Sequence, residues 1–187
     1  ADYYLTKPFE PKELLACVPE LADLCEVSAV QVFNLDSTNV GPAQWQSIVR
    51  CIKENYDTCD GFVIAHGTDT LSYAAATLSY LIQKNEKPVV LTGAQKSIEV
   101  PDGDARRNLF EAFVYATDAR ACGTHVVFNG HVIAGTRARK THTKSFDAFS
   151  SIDFPDIGVF YDKKLLCYID ERPECPGAVL YDKLVPE

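Results

Sequence analysis

No apolar run in this sequence is longer than a β-strand, so nothing approaches the roughly 20 residues that a bilayer-spanning helix needs. Positive charge is scarce as well: 18 Lys and Arg stand against 26 Asp and Glu, a formal charge of −8. Neutralising phosphates needs a net basic face, so a nucleic-acid partner is not expected, and the balance favours a small-molecule task. The seven cysteines (Cys17, Cys25, Cys51, Cys59, Cys122, Cys167 and Cys175) are odd in number and contain no C-x-x-C pair. That pattern suggests neither a zinc ribbon nor a closed disulfide framework, and reads as reduced thiols in a cytosolic protein. His66, His125, His131 and His142 are scattered without metal-ligand spacing, so no metal and no cofactor are expected. No G-x-G-x-x-G or G-x-x-x-x-G-K-[ST] loop follows a strand, which argues against a nucleotide-binding domain. There is no internal repeat, no low-complexity linker and no visible signal peptide, although the opening "ADYYLTKPF" has no initiator Met and leaves room for a leader already removed.

What is present is enough for one α/β domain, since 187 residues at 47% hydrophobic can bury a sizeable core. Strand-length apolar runs alternate with stretches of helical period, the pattern of βαβ units and an open, mostly parallel sheet flanked by helices on both faces. The strands fall at 29–33, 62–65, 89–92 and 125–128. "PAQWQSIVRCIKENY" stripes Trp45, Ile48, Val49, Ile52 and Tyr56, with Pro42 in the first turn where its missing N–H does no harm. A second helix is expected from about Asp69 to Lys84, and another in "DARRNLFEAFVYATD" on Leu109, Phe113 and Ala116. Asn129-Gly130 between apolar runs predicts a tight hairpin. After Phe146 the prolines crowd and the periods fade, which predicts a peripheral β-hairpin followed by a linker.

The chemistry gathers where strands end. In "GFVIAHGTDTLSYAAATLSYL" a buried strand stops at Thr68 and Asp69 before a helix begins. Both residue types are usual helix N-caps, so the join has a purely structural explanation. Two more strand exits are also hydroxyl-rich, Thr92-Gly93 in "PVVLTGAQKS" and Asp36, Ser37, Thr38 and Asn39 in "VQVFNLDSTNVGP". Ligands of open α/β sheets sit beyond the carboxyl ends of the strands, and three such exits on one sheet edge suit a small polar ligand. Lys140 in "GTRARKTHTKSFDAF" is either a solvated basic strand end or a buried amine able to relay a proton, and spacing does not choose.

Four ordered blocks, "HGTDTLSYAAATLSYL", "KPVVLTGAQ", "FNLDSTN" and "RARKTHTKSFDAF", closely resemble the bacterial and archaeal L-asparaginase family with a Thr nucleophile. The resemblance runs from about Tyr3 to the C-terminus. It implies an asparaginase-like N-terminal α/β domain over residues 1–174, with 175–187 as a linker towards a C-terminal domain. It also implies hydrolysis of L-asparagine to L-aspartate and ammonia, with weaker action on L-glutamine, by cytoplasmic homodimers or homotetramers. Thr68 and Asp69 match the Thr and Asp of the family's GTDT motif, and Lys140 matches the Lys of the same triad. Asp69 would hold the substrate's α-amino group, Ser37 with Thr38 its α-carboxylate, and the Ala94 backbone would line the amide pocket. Tyr4 matches a loop Tyr that orients the family's first nucleophile.

The departures are equally informative. Family members begin with a strand leading into a "TGGT" turn whose first Thr is the acylated nucleophile, and nothing like it occurs in these residues. The expectation is therefore a portion of a longer asparaginase, inactive by itself, and otherwise a remnant that does not turn over. Two other readings share the blocks: the asparaginase-like component of a tRNA-dependent amidotransferase, and a non-catalytic module that keeps the Asp69 and Ser37 pocket.

Overall fold

A computed structural model describes residues 2–5 (as backbone only), 16–170 and 177–182. The elements in chain order are β1 (Asp2–Leu5), β2 (Ser28–Gln31), α1 (Pro42–Asn55), β3 (Phe62–Ala65), α2 (Leu71–Leu81), β4 (Ile82–Gln83) and β5 (Val89–Thr92). They continue with α3 (Ala105–Thr117), β6 (Thr124–Phe128), β7 (His131–Ala134), β8 (Ala138–Lys140), β9 (Phe149–Ser151), β10 (Gly158–Tyr161), β11 (Lys164–Cys167) and β12 (Val179–Leu180). Among the described residues, eight strands form one sheet in the order β11-β10-β7-β6-β5-β3-β1-β2. From β2 to β6 the neighbours are parallel, and β7, β10 and β11 add an antiparallel margin. Two small sheets, β8 with β9 and β4 with β12, are separate from it.

The central strands are apolar on both faces because helices cover both. Phe62, Ile64, Leu91 and Phe128 face α1 and α2, where Ile48, Ile52, Leu71 and Leu78 meet them. Val63, Val90 and Val127 alternate to the other face, against Leu109 and Phe113 of α3. Fully burying such side chains stabilises by about 1.5–3 kcal/mol each. The Trp45 to Tyr56 stripe works as its period foretells: Ile48, Val49 and Ile52 are buried, with Trp45 and Tyr56 packed at the margin. At the start of α1, the Gly41 N–H donates to the Gln44 side-chain carbonyl at 3.1 Å, which satisfies an end donor that Pro42 does not need to supply.

The Asn129-Gly130 hairpin forms between β6 and β7, with both residues left-handed at φ 51° and 84°. The expected peripheral hairpin is β10–β11, turned by Asp162 and Lys163 at φ 48° and 60°. Several elements differ from the sequence expectation, β6 only in starting one residue earlier, at Thr124. The strand expected at 29–33 is β2, Ser28–Gln31, because the chain leaves the sheet towards the Ser37 turn. The second helix is shorter than 69–84 at both ends. Its front is a turn over residues 68–70, and its rear gives way at Ile82–Gln83, which pair with Val179–Leu180 before Lys84 turns left-handed at φ 51°. Tyr4, expected in a loop, has its backbone in β1, paired with Val30 and Ile64; its side chain lies outside the described residues.

Candidate functional site

The exits of β2, β3 and β5 all open at the carboxyl ends of the parallel strands, with β1 between β2 and β3, and each contributes to one site. Two close backbone approaches hold the exits together. A Cβ at Gly67 would sit 2.5 Å from Ser37 Oγ, and one at Gly93 would run into the His66 carbonyl oxygen, so only glycine fits either place. The Thr70 hydroxyl donates to the Ser37 carbonyl at 2.6 Å, and the Asp69 N–H reaches Ser37 Oγ at 3.4 Å. His66, buried at 4% exposure, meets the Gly67 carbonyl at 2.8 Å through Nδ1, while its Nε2 has no partner among the described residues. Burial pushes its pKa below the ordinary imidazole value, so the ring is neutral and Nδ1–H is the donor that fixes the turn.

The helix-cap explanation of Thr68 and Asp69 does not survive this geometry. The cap position of α2 is Thr70, and no side chain caps the helix there. Thr68 and Asp69 stand free of that duty and face Lys140 instead. The Lys140 Nζ donates to Thr68 Oγ1 and to Asp69 Oδ1, each at 2.8 Å, across more than seventy residues of chain. The Lys140 side chain is 17% exposed and Asp69 54%, so the amine is mostly covered while the carboxylate meets solvent. The alternation of β8 accounts for the difference among the basic residues: Ala138 and Lys140 point inward, Arg139 points out, and Arg137 lies over the Phe154 ring at 5.7 Å. β9 holds β8 in place through Phe149, which is packed in the core beside Phe128.

The other expected residues divide. Ser37 is buried and lies against Gly67 at the Asp69 N–H. Thr38 is exposed and occupied by its own turn, its N–H and hydroxyl both donating to Asp36 Oδ1 at 2.9 and 2.8 Å. Ala94 lies between Gly93, which adjoins His66, and Gln95, which adjoins Thr68, so its backbone is at the site. Thr92, read from sequence as part of a hydroxyl-rich exit, is buried and donates to the Val127 carbonyl at 2.8 Å, so it ties β5 to β6 instead.

Sequence reasoning missed three residues behind the site. Gln95 accepts from the Thr68 hydroxyl at 3.3 Å and donates to the Thr143 and Ser145 carbonyls at 3.1 and 3.0 Å. Asp104, 2% exposed, accepts the Gln95 N–H at 2.9 Å and the Lys96 N–H at 3.0 Å. Asn108 bridges Asp104, the Gly93 carbonyl and the Asn129 N–H. The available signal was the pair Asp104 and Asn108, polar residues one helical turn apart at the start of a helix. Together these groups present a hydroxyl between an amine and an amide, and an exposed carboxylate able to meet a cationic group. That arrangement suits proton transfer on a small polar substrate.

The sequence matches the family model described as Asparaginase, N-terminal, over residues 2–172. It is 42% identical over 173 residues to an L-asparaginase from Thermococcus kodakarensis, covering 88% of this chain and 52% of that one. It is 37% identical over 153 residues to a component of the glutamyl-tRNA(Gln) amidotransferase from Methanococcus maripaludis, covering 78% of this chain and 36% of that one. The fold superposes on the solved thermostable L-asparaginase from Thermococcus kodakarensis with a TM-score of 0.85 at 30% identity, covering 100% of this chain and 62% of that chain. The chain thus spans between about a third and a half of the length of these curated relatives.

Proposed function

The chain belongs to the asparaginase family, and from that premise we propose that its strand-exit site is the proton-relay half of an amidohydrolase active site. The reaction is hydrolysis of L-asparagine to L-aspartate and ammonia through a Thr-based acyl-enzyme, with L-glutamine as a weaker substrate. One observation carries the reading: Lys140 Nζ is hydrogen-bonded at once to the Thr68 hydroxyl and the Asp69 carboxylate. A carboxamide is a poor electrophile with a poor leaving group, so its hydrolysis needs an activated nucleophile, a proton for the departing ammonia and donors for the oxyanion. Lys140 in its neutral form takes a proton from the Thr68 hydroxyl and as an ammonium returns one. Asp69, half exposed beside it, has a carboxylate oxygen left for the substrate's α-ammonium group. In this reading Ser37 meets the α-carboxylate and the Ala94 backbone lines the side-chain amide pocket.

We assign residues 1–174 to the N-terminal domain of such an enzyme and 175–187 to a linker, and the working assembly is a cytoplasmic homodimer or homotetramer. Tyr4 and the acylated nucleophile belong to the same proposal. Ammonia release from L-asparagine by the full natural polypeptide tests it, with Thr68→Val as the control. Release that is lost in the variant supports the assignment, and release that survives removes Thr68 from the chemistry.

The similarity to a component of a tRNA-dependent amidotransferase favours a second reading, in which the same site supplies ammonia to a partner enzyme. The two separate cleanly. An asparaginase releases ammonia unaided, whereas an ammonia-supplying component releases it only with its partner and acceptor tRNA present.

A further inference from the structure

We propose that Gln95 is a positioning residue that holds the proton of the Thr68 hydroxyl away from Lys140 in the resting site. The inference rests on the amidase reading above and adds to it a residue that reading did not use.

The orientation of the Gln95 amide follows from its partners. Backbone carbonyls only accept, so the nitrogen must face the Thr143 and Ser145 oxygens, and its two hydrogens are both spent there. The amide oxygen is left facing Thr68 Oγ1, and an amide oxygen only accepts. On the other side of the same hydroxyl, an ammonium at Lys140 only donates, to Thr68 and Asp69 alike. A hydroxyl has one proton, and between a donor and an acceptor it has one sensible direction, towards Gln95.

For Lys140 to act as base the polarity must reverse. The amine loses its proton, the Thr68 hydroxyl swings round to donate to Nζ, and the Gln95 oxygen loses its donor. Gln95 therefore favours the state in which Lys140 is charged and Thr68 is at rest. It can impose that preference because it is held at both ends: its backbone N–H is clamped by the buried Asp104 carboxylate, and its side chain by the 143–145 segment. The charged and titratable groups on the surrounding elements are few. Asp69 contacts Lys140 directly, and Lys96 lies over the Phe146 ring at 5.3 Å. Asp104 is engaged by amide N–H groups, and the His142 ring meets the Asp147 carbonyl.

Two substitutions that keep the length of the side chain pull in opposite directions. Gln95→Met removes the acceptor, so Lys140 gives up its proton at lower pH. Gln95→Glu places a carboxylate there, so Lys140 keeps its proton to higher pH. Both lose the tie to Thr143 and Ser145, so a merely structural role would move both the same way.

The experiment uses the full natural polypeptide, its two Gln95 variants and Lys140→Met. The pH dependence of kcat/KM for L-asparagine is measured together with the titration of the Lys140 amine. The titration is read from the 13Cε shifts of 13C-lysine-labelled protein and assigned by the signal missing from Lys140→Met. The expected result is an acid limb and an amine titration displaced by about half a unit to one unit, downward in Gln95→Met and upward in Gln95→Glu. Displacement of both in one direction, or of neither, overturns the proposal. If one variant fails to fold, the sign in the other decides. Opposite amine shifts in a protein with no turnover would sustain the role of Gln95 and sink the amidase reading.

Discussion

In the proposed reaction three side chains at the β3 exit and the β8 end, Thr68, Asp69 and Lys140, carry the chemistry, and each should be replaceable with little consequence for the fold. Thr68→Val exchanges a hydroxyl for a methyl at a half-buried turn, so unfolding should barely move while amide turnover falls to background. Lys140→Met keeps the length of the side chain and loses the relay. Its kcat should fall by about 10²–10⁴-fold, the usual contribution of a general acid–base group, with KM for L-asparagine little changed. Turnover within threefold of the parent protein would remove Lys140 from the relay. Sequence made Thr68, Asp69 and Lys140 candidates, but left a cap explanation open for the first pair and a solvated one for the lysine. The open α2 cap and the inward face of β8 decide both cases.

Elements place these residues through two kinds of glycine, and the two should differ in cost. Gly130 needs only a left-handed backbone, since a Cβ there would meet nothing nearer than the Phe160 carbonyl at 3.7 Å. Gly130→Ala should therefore cost about 1 kcal/mol in urea-induced unfolding. Gly93 stands where the exits of β3 and β5 touch, and a methyl there meets the His66 carbonyl and the Leu71 side chain. Gly93→Ala should cost more, about 2–3 kcal/mol, and should also reduce turnover by displacing the turn that carries Thr68. Equal costs at the two positions would show that the contact between strand exits relaxes without strain. The Asn-Gly hairpin is visible in the sequence because a two-residue turn is a local event. The contact at Gly93 joins two strand exits and leaves no local pattern.

Over the whole molecule, pH should act on stability through two buried groups with opposite signs. Burial lowers the His66 pKa, so the unfolded chain takes up a proton that the native state refuses. The associated stability is complete above the unfolded value of about 6.5 and is lost as pH falls through the native one. Glu111 is 7% exposed, and burial outweighs the Gly130 N–H that donates to it, so its pKa is raised. Its contribution is complete below the unfolded carboxyl value of about 4.5 and is lost as pH rises through the native one. Glu111→Gln keeps an acceptor for Gly130 and carries no charge. It should raise the thermal midpoint at pH 7 and have little effect near pH 4. A variant less stable than its parent at pH 7 would mean that the charge itself is needed, through Arg107 or His131, which both draw the carboxyl downward.

The sequence by itself determined what depends on neighbours along the chain. The 3.6-residue stripes of α1 and α3, the buried strands 62–65 and 89–92, the Asn129-Gly130 turn and the four family blocks are patterns within twenty residues or so, where side-chain period reports backbone geometry directly. The tertiary structure alone decided what depends on layers packing against one another. It brought Lys140 to Thr68 across the α2 face, spent Thr92 on a sheet contact and ended α2 where β12 claims Ile82 and Gln83. It also set Gln95 between the Thr68 hydroxyl and two carbonyls nearly fifty residues away. Such contacts leave no period in the sequence, because a side chain's partner there is chosen by the position of another element and not by its own neighbours.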